Sequence, residues 1–353
     1  MNYKRLTTVF TACAVAASAL TLGGCGNSID SDAVVATVGG EEITLGYANF
    51  AAQYIHAYYD SIFITYYGED YWTSSSYTDD DGNTMEDTVK DSVMEEIELS
   101  YLLAAEMDTY GVEITEDELA AIEEAAAEFM EENSSEAIAA MGATQEIVEQ
   151  YLYYQTVGEK MYDAIIATAD TEVSDEECAQ RTFSYVFIST EGYYDDDYNY
   201  VEYTDDELEE LAEEAAEFAE AALEDFDTAV DDYGLSSYTY SYGADEDSEE
   251  DGGFSETALE AADALSEGEV SALIEVDDGY YVLRLDSEYD EDATEEARED
   301  IIAERQSELY TEVTEALQEA SDFELDEDLW ARVTFSDLFN VVEDEEEESS
   351  TDE

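Results

Sequence analysis

One stretch of the 353-residue chain constrains its fold more than any other, residues 252–286, which read GGFSETALEAADALSEGEVSALIEVDDGYYVLRLD. After the glycine pair, an alanine-rich segment predicts a short helix, and Ser266-Glu267-Gly268 predicts a turn. Two short apolar runs, SALIEV and YYVLRL, then flank Asp277-Asp278-Gly279, which is typical of a hairpin turn. The spacing predicts a small unit in which one helix and two antiparallel strands pack together.

The residues of this stretch also resemble a known family. The run LSEGEVSALIEVDDGYYVLRL is similar to the end of a parvulin-type (PpiC) peptidyl-prolyl isomerase domain. Upstream, RTFSYVFIST from Arg181 predicts a first strand, 207–223 predicts a helix, and FDTAVDDY at 226–233 is similar to the second helix of that family. The resemblance covers 181–287 and implies the parvulin order of strand, helices and two closing strands.

A second resemblance lies near the N-terminus. VATVGGEEIT at 35–44 is similar to the start of the PrsA/SurA class of extracytoplasmic foldases. This resemblance implies an α+β protein in which a helical chaperone module, 33–175, holds unfolded clients and the divergent parvulin-like domain is inserted after it. It also implies that a C-terminal part, 293–340, returns to pack on the module. Within that part the pattern predicts a long helix and then a strand-like segment over 323–339.

Helical patterns fill most of the predicted module. They cover 44–67, 85–110, 117–132 and 144–169. Capping-box patterns at Thr115 and Ser174 mark two helix starts, because a Ser or Thr followed three residues later by Glu satisfies free backbone N–H groups. The first helix carries aromatic residues at helical spacing, Tyr47, Phe50, Tyr54 and Tyr58. Such a stripe predicts a core face, and the alternative is that part of it lines a groove for client chains.

The N-terminal 24 residues have the features of a bacterial lipoprotein signal peptide. Lys4-Arg5 form a positive region, residues 6–22 are apolar, and Leu22-Gly23-Gly24-Cys25 matches a lipobox. We therefore predict cleavage before Cys25, lipidation of Cys25, a polar tether over 25–32, and anchoring at the extracytoplasmic face of the bacterial cell membrane. The alternative is an ordinary signal peptide with a chance cysteine.

The charge of the chain limits its partners. It has 98 acidic residues against 9 Lys and Arg, a formal net charge of −89. Such a field excludes nucleic acid and anionic lipid headgroups as direct ligands, and it favours cations and basic or unfolded polypeptides, including newly secreted ones. Adaptation to a cation-rich exterior is an equal alternative. The last residues, 341–353, predict an acidic disordered tail.

The resemblance implies where catalytic and binding residues lie. By position, the two family histidines correspond to Tyr185 in the first strand and Tyr281 in the last. The proline-pocket residues correspond to Phe254 and to Leu259 (or its neighbour Ala258). Because both histidine positions carry tyrosine, isomerase activity is in doubt. Two alternatives remain: a scaffold that serves as a binding module, or residual activity through Tyr185, Tyr281 and Phe254.

The sequence has few residues that could serve as catalytic nucleophiles or metal ligands. Beyond the predicted anchor, the mature chain has one histidine, His56, and one thiol, Cys178, which we expect to be a buried structural residue. The acidic run Asp79–Asn83 lacks the first and last carboxylates of a calcium loop, so it allows only weak association with cations. We expect no metal site and no cofactor. The leading hypothesis is a lipid-anchored folding factor, and the alternative is a non-enzymatic acidic surface lipoprotein that binds cations or a solute.

Overall fold

A computed structural model describes residues 15–16, 29–68, 70–79, 81–194, 199–243, 254–335 and 339–341. The chain forms two compact units, one made of Met1–Thr168 with Glu308–Glu353 and the other of Ala169–Ser307. Cys25, most of the predicted signal peptide and the acidic tail from residue 342 onward lie outside the described residues. What we expect of them stays a prediction.

Helices make up most of the described chain. In chain order they are α1 Leu45–Tyr67, α2 Met85–Ala105, α3 Met107–Tyr110, α4 Glu116–Glu132, α5 Ser135–Met141, α6 Gln145–Ile166, α7 Asp175–Cys178, α8 Asp205–Ala222, α9 Phe226–Tyr233, α10 Glu256–Asp263, α11 Glu291–Glu319 and α12 Glu327–Trp330. The sequence predicts one helix over 85–110, whereas the structure interrupts it after Ala105. Among the described residues, no helix is both long and apolar enough to cross a membrane.

The strands are short and pair antiparallel. They are β1 Val15–Ala16, β2 Val34–Val38, β3 Glu41–Thr44, β4 Arg181–Ser189, β5 Gly192–Tyr194, β6 Tyr200–Glu202, β7 Tyr238–Tyr242, β8 Ile274–Val276, β9 Gly279–Ser287, β10 Glu324–Leu325 and β11 Asn340–Val341. The described strands form four sheets, with the orders β1-β11, β10-β2-β3, β7-β4-β9-β8 and β5-β6. The combination of helices with small antiparallel sheets confirms the predicted α+β class.

Capping boxes start several of the helices. In each, the carboxylate of the third helical residue accepts a hydrogen bond from the backbone N–H of the cap residue, which reduces the number of unsatisfied groups at the helix end. The pairs are Thr84 with Asp87, Thr115 with Glu118, Ser174 with Glu177 and Thr204 with Glu207. The boxes predicted at Thr115 and Ser174 are confirmed.

The core of the first unit is aromatic. Tyr47, Phe50 and Tyr54 on α1 are at most 8% exposed, and the Phe50 ring lies 5.8 Å from the ring of Phe129 on α4 and 5.6 Å from that of Tyr151 on α6. The predicted stripe is therefore core over these three residues. Its fourth member, Tyr58, is 48% exposed.

The segment after α11 joins the same core. β10 pairs with β2, and Trp330, Val333, Phe335 and Phe339 are buried against α1 and its neighbours. The sequence predicts a strand-like segment over 323–339, and this prediction is wrong for most of it: among the described residues of the segment only Glu324–Leu325 is a strand, while 327–330 form α12. The reason is local: the Asp326 side chain accepts a hydrogen bond from the N–H of Leu329 (3.0 Å) and so caps a helical turn.

The second unit is built on the sheet β7-β4-β9-β8. Alternate residues of a strand point to opposite faces, so each strand contributes to two cores. One face carries Phe183 and Leu283 beneath α10, and the other carries Val186 and Val282 beneath α8 and α9. The two strands β4 and β9 pair along their whole length, so they form the centre of this sheet.

The hairpin of the opening stretch forms as predicted at its turn. Val276 pairs with Gly279, which leaves Asp277-Asp278 as a two-residue loop. The predicted strand SALIEV is shorter in the structure, since only Ile274–Val276 joins the ladder. Ser271 instead bonds β9 through both its backbone and its side chain, because its Oγ accepts the N–H of Leu283 at 2.9 Å.

Candidate functional site

The strand register brings the two tyrosines at the family-histidine positions to one face. Tyr281 on β9 is directly opposite Phe187 on β4, and Tyr185 is opposite Leu283. Tyr185 and Tyr281 are therefore diagonal neighbours on adjacent strands, within reach of each other. Their ring centroids lie 5.9 Å apart.

Phe254 lies between them. Its ring centroid is 4.7 Å from that of Tyr185, 4.9 Å from that of Tyr281, 4.8 Å from that of Tyr240 and 5.0 Å from that of Phe183. We call these five residues the aromatic cluster. Phe254 is only 7% exposed, while the three tyrosines are half-buried. The cluster thus has a buried phenylalanine at its centre and tyrosine rings that reach the surface.

Leu259, the other predicted pocket residue, lies on α10. It is partly buried and packs against the core that contains the aromatic cluster, whereas its neighbour Ala258 is fully buried there. Both positions lie on the helix that covers this face of the sheet and belong to the same hydrophobic cluster as Phe254. The assignment of Leu259 to a proline pocket stays a prediction.

Sequence reasoning missed part of the cluster. Tyr240 belongs to β7, a strand that was not predicted, although YTYSY at 238–242 alternates in the manner of a half-buried strand. The alternation places Tyr238, Tyr240 and Tyr242 on one face. Cross-strand pairing with β4 then brings Tyr240 opposite Phe183. The signal is present in the sequence, directly before the acidic run at 245–251.

Burial has the largest effect on the proton affinity of Tyr281. Burial raises the pKa of Tyr281 above its ordinary value near 10, and the negative charge of Asp278 and the neighbouring Tyr185 act in the same direction. The Tyr281 hydroxyl is therefore neutral at physiological pH, where it can both donate and accept a hydrogen bond.

Two polar side chains hold the covering helix against the sheet. Tyr242 on β7 donates its hydroxyl to Asp263 at the end of α10 (2.8 Å), and burial together with this carboxylate raises the pKa of Tyr242. The Arg181 guanidinium donates to the carbonyl of Leu265 just beyond the same helix (3.0 Å). Because α10 follows Phe254 directly, these bonds help to fix the position of Phe254.

The chemistry of the aromatic cluster follows from its composition. Aromatic faces bind apolar groups such as a proline ring, and the tyrosine hydroxyls can hydrogen-bond a peptide carbonyl. No member of the cluster is an imidazole, the side chain whose ordinary pKa lies nearest to neutral pH. The arrangement is suited to binding a prolyl segment and has weak means of polarising it.

The remaining candidates lie outside this cluster. His56 is fully buried within the first unit. Cys178 is fully buried as well, and its Sγ lies 3.3 Å from the carbonyl oxygen of Ser174, which confirms it as a buried free thiol. Among the residues that the structure describes, no three or more His, Cys, Asp or Glu side chains form a group that could hold a metal ion. The Asp79 carboxylate accepts hydrogen bonds from the backbone of Asp81 and Asn83.

A family comparison covers much of the second unit. Residues 191–299 match the family described as the PPIC-type PPIase domain. This segment is therefore similar to a PPIC-type domain. This confirms the resemblance seen in the closing strands. Phe254, Leu259 and Tyr281 lie inside the matched segment, and Tyr185 lies just before it, on the strand that pairs with β9.

Several solved structures are similar to the chain. The foldase protein PrsA of Lactococcus lactis is 12% identical, and the match covers 86% of this chain and 99% of that one with a TM-score of 0.37. The peptidylprolyl isomerase PrsA of Bacillus cereus is 18% identical, with 74% of this chain and 97% of that one covered and a TM-score of 0.30. The foldase protein PrsA of Streptococcus pneumoniae is 17% identical, with 85% of this chain and 98% of that one covered and a TM-score of 0.30. A comparison with curated proteins finds no match.

Proposed function

We propose that this protein is an extracytoplasmic folding factor that binds unfolded polypeptides and has little prolyl isomerase activity of its own. The observation that carries the proposal is the packing of Tyr185 and Tyr281 around Phe254 within a PPIC-type domain. In this proposal the aromatic cluster binds prolyl and apolar segments of a client. The helical first unit and the acidic surface contribute further binding for unfolded, basic chains.

Slow isomerisation follows from the two tyrosines. Rotation about a peptide bond has a barrier of ~18–20 kcal/mol, so an efficient catalyst needs groups that favour the twisted bond over the planar one. Tyr185 and Tyr281 supply phenolic hydroxyls, whereas the family supplies imidazoles at these positions. Aromatic faces alone bind the planar and the twisted peptide bond with nearly equal affinity. Equal binding of the ground state and the transition state does not accelerate the reaction.

A protease-coupled isomerase assay on the purified protein tests this half of the proposal. We expect a rate close to that of buffer, and a higher rate for the double variant Tyr185→His with Tyr281→His. A wild-type rate well above buffer that falls in Tyr185→Phe and Tyr281→Phe would instead support residual catalysis by the hydroxyls. Tyr280→Phe is the matched control, because it removes the same group from the opposite face of β9.

The chaperone half has its own measurement. Light scattering of an unfolded client rich in proline should decrease when the protein is added in stoichiometric amount. Phe254→Ala should weaken this effect if it folds, as checked by circular dichroism. No suppression by the wild-type protein at excess would rule out the chaperone function.

We also propose that the protein is held at the outer face of the cell membrane through Cys25. The support is the lipobox Leu22-Gly23-Gly24-Cys25 after a short apolar segment. One acyl chain binds membranes only marginally, so stable anchoring relies on the several chains of a bacterial lipoprotein. Cys25→Ala should abolish incorporation of labelled fatty acid and shift the protein from the membrane to the soluble fraction. Retention in the membrane without label would contradict this.

A further inference from the structure

A small cleft opens among three helices of the first unit. Its walls come from α1, α2 and α6, and it holds about 240 Å³ of space including its open mouth. Ala51, Ile55 and Ile97 give it apolar sides, and Tyr151 adds an aromatic one. Its enclosed part has room for little more than one group of the size of a water molecule.

Tyr47 is one of the residues that line this cleft. The residue is only 2% exposed. No other described residue hydrogen-bonds its hydroxyl, and the oxygen is not sealed away from solvent. Buried polar groups in native proteins are nearly always hydrogen-bonded, and exceptions call for an explanation. A hydroxyl of this kind, facing a cleft, points to a ligand.

The other polar groups of the cleft are hydrogen-bond acceptors with negative character. Glu96 accepts one bond from the Gln155 amide through Oε1 (2.9 Å), which leaves Oε2 available. Ser100 donates its hydroxyl to the carbonyl of Glu96, so its oxygen can only accept from a ligand. No Lys or Arg lines the cleft. A cation with several N–H donors fits this set, and an anion does not.

We propose that this cleft binds an alkylammonium group, the lysine side chain of a client segment. The proposal rests on the client binding proposed above and names one chemical group that it recognises. An ammonium group is compact and has three donors, which match the oxygens of Glu96, Tyr47 and Ser100. The apolar walls contact the methylene stem, and the Tyr47 and Tyr151 rings attract the charge. The larger, planar guanidinium of arginine does not fit the enclosed part.

The experiment uses three peptides without fixed structure that differ at one central residue. Lysine is compared with norleucine, which has the same stem without charge, and with arginine, which has the same charge on a larger head. Binding to the purified protein is measured by calorimetry, and ligand contacts are located by amide chemical shifts. We expect the lysine peptide to bind about tenfold more tightly than either of the others, the effect of one charge-assisted hydrogen bond or ion pair.

Variants of the cleft provide the second arm. Glu96→Gln should reduce affinity for the lysine peptide about tenfold, whereas Glu95→Gln, which makes the same change of charge on the same helix outside the cleft, should have little effect. Tyr47→Phe should weaken lysine binding and leave the melting temperature unchanged or raised. A purely structural hydroxyl would lower the melting temperature when removed.

Several results would overturn the inference. Equal affinity for the lysine and arginine peptides, with equal effects of Glu96→Gln and Glu95→Gln, would mean that the general acidic field binds cations. If the amide chemical shifts of Ala51 and Ile55 do not change when the lysine peptide is added, the cleft holds a water molecule and not the lysine side chain. Binding of n-butylamine as tight as that of the peptide would overturn the assignment to a client segment. Client aggregation is measured separately, so loss of this inference and loss of the chaperone function are distinguishable.

Discussion

At the scale of single residues, Asp60 is central to the first unit. It is 2% exposed, and its carboxylate accepts hydrogen bonds from the indole N–H of Trp72 (2.8 Å) and the backbone N–H of Phe339 (2.9 Å). His56 Nε2 lies 3.2 Å from the same carboxylate without hydrogen-bond geometry. One acidic side chain of α1 thus holds both a neighbouring loop and the C-terminal segment.

Asp60→Asn should destabilise the protein by about 1–3 kcal/mol, because an amide nitrogen replaces one of the two acceptor oxygens and leaves one of the two buried N–H groups without its partner. Urea unfolding followed by tryptophan fluorescence measures the change, since Trp72 is itself a partner of Asp60. Asp91→Asn, on the exposed side of α2, is the matched control. A urea midpoint of Asp60→Asn equal to that of Asp91→Asn would show that the N–H groups of Trp72 and Phe339 both keep hydrogen-bond partners in the variant.

At the scale of elements, hydrogen bonds and an ion pair stabilise the start of α7. The Glu177 carboxylate accepts from the hydroxyl and the backbone N–H of Ser174 and also binds the Arg305 guanidinium of α11. The hydrogen bond from the Ser174 hydroxyl, then that from the backbone, then Arg305 lower the pKa of Glu177 from 4.5 to about 2. Arg298 of the same long helix donates to the carbonyl of Val173 (2.6 Å). These bonds join the start of the second unit to α11.

The pH dependence of these contacts follows from the lowered pKa of Glu177. A carboxylate whose pKa is lower in the folded state stabilises the fold above its unfolded pKa and loses that effect as pH falls through its folded pKa. Glu177→Gln should therefore lower the melting temperature at neutral pH, and the difference from wild type should shrink between pH 4.5 and about 2. Thermal unfolding followed by circular dichroism measures this. Glu176→Gln is the control, and an equal response in both variants would contradict the prediction.

At the scale of the whole molecule, most of the Lys and Arg side chains that the structure describes form ion pairs with acidic residues. Lys160 contacts Glu118 at 2.8 Å, and Arg284 contacts Asp286 at 2.7 Å and Asp227 at 2.8 Å. Lys90, Arg181 and Arg298 also each face an acid within their own unit. The remaining acids repel one another across a chain of net charge −89. Self-repulsion of this kind destabilises a compact state while it maintains solubility.

Salt should therefore stabilise the protein. The screening length falls from ~30 Å at 0.01 M to ~3 Å at 1 M, so repulsion between distant acids is removed over this range. We expect the melting temperature to rise by several degrees, equally in NaCl and KCl. A fall would mean that the ion pairs outweigh the repulsion. Stoichiometric, saturable heat on addition of calcium would favour the alternative of a cation-binding lipoprotein.

Much of this structure could be predicted from the sequence because the signals are local. The caps at Thr115 and Ser174, the two-residue turn Asp277-Asp278 and the alternation of β4 and β9 each depend on a few neighbouring residues. The family resemblance rests on the same local runs. The α+β class followed from the order of these elements along the chain.

Only the tertiary structure decided which distant residues meet. β7 pairs with β4 across more than fifty residues of chain, and this pairing alone brings Tyr240 to the aromatic cluster. Likewise, Asp60 satisfies the backbone of Phe339 across 279 positions, and the Tyr47 hydroxyl faces a cleft only because three helices meet there. Local patterns specify elements, whereas register and packing depend on the simultaneous burial of apolar faces that are far apart in the sequence.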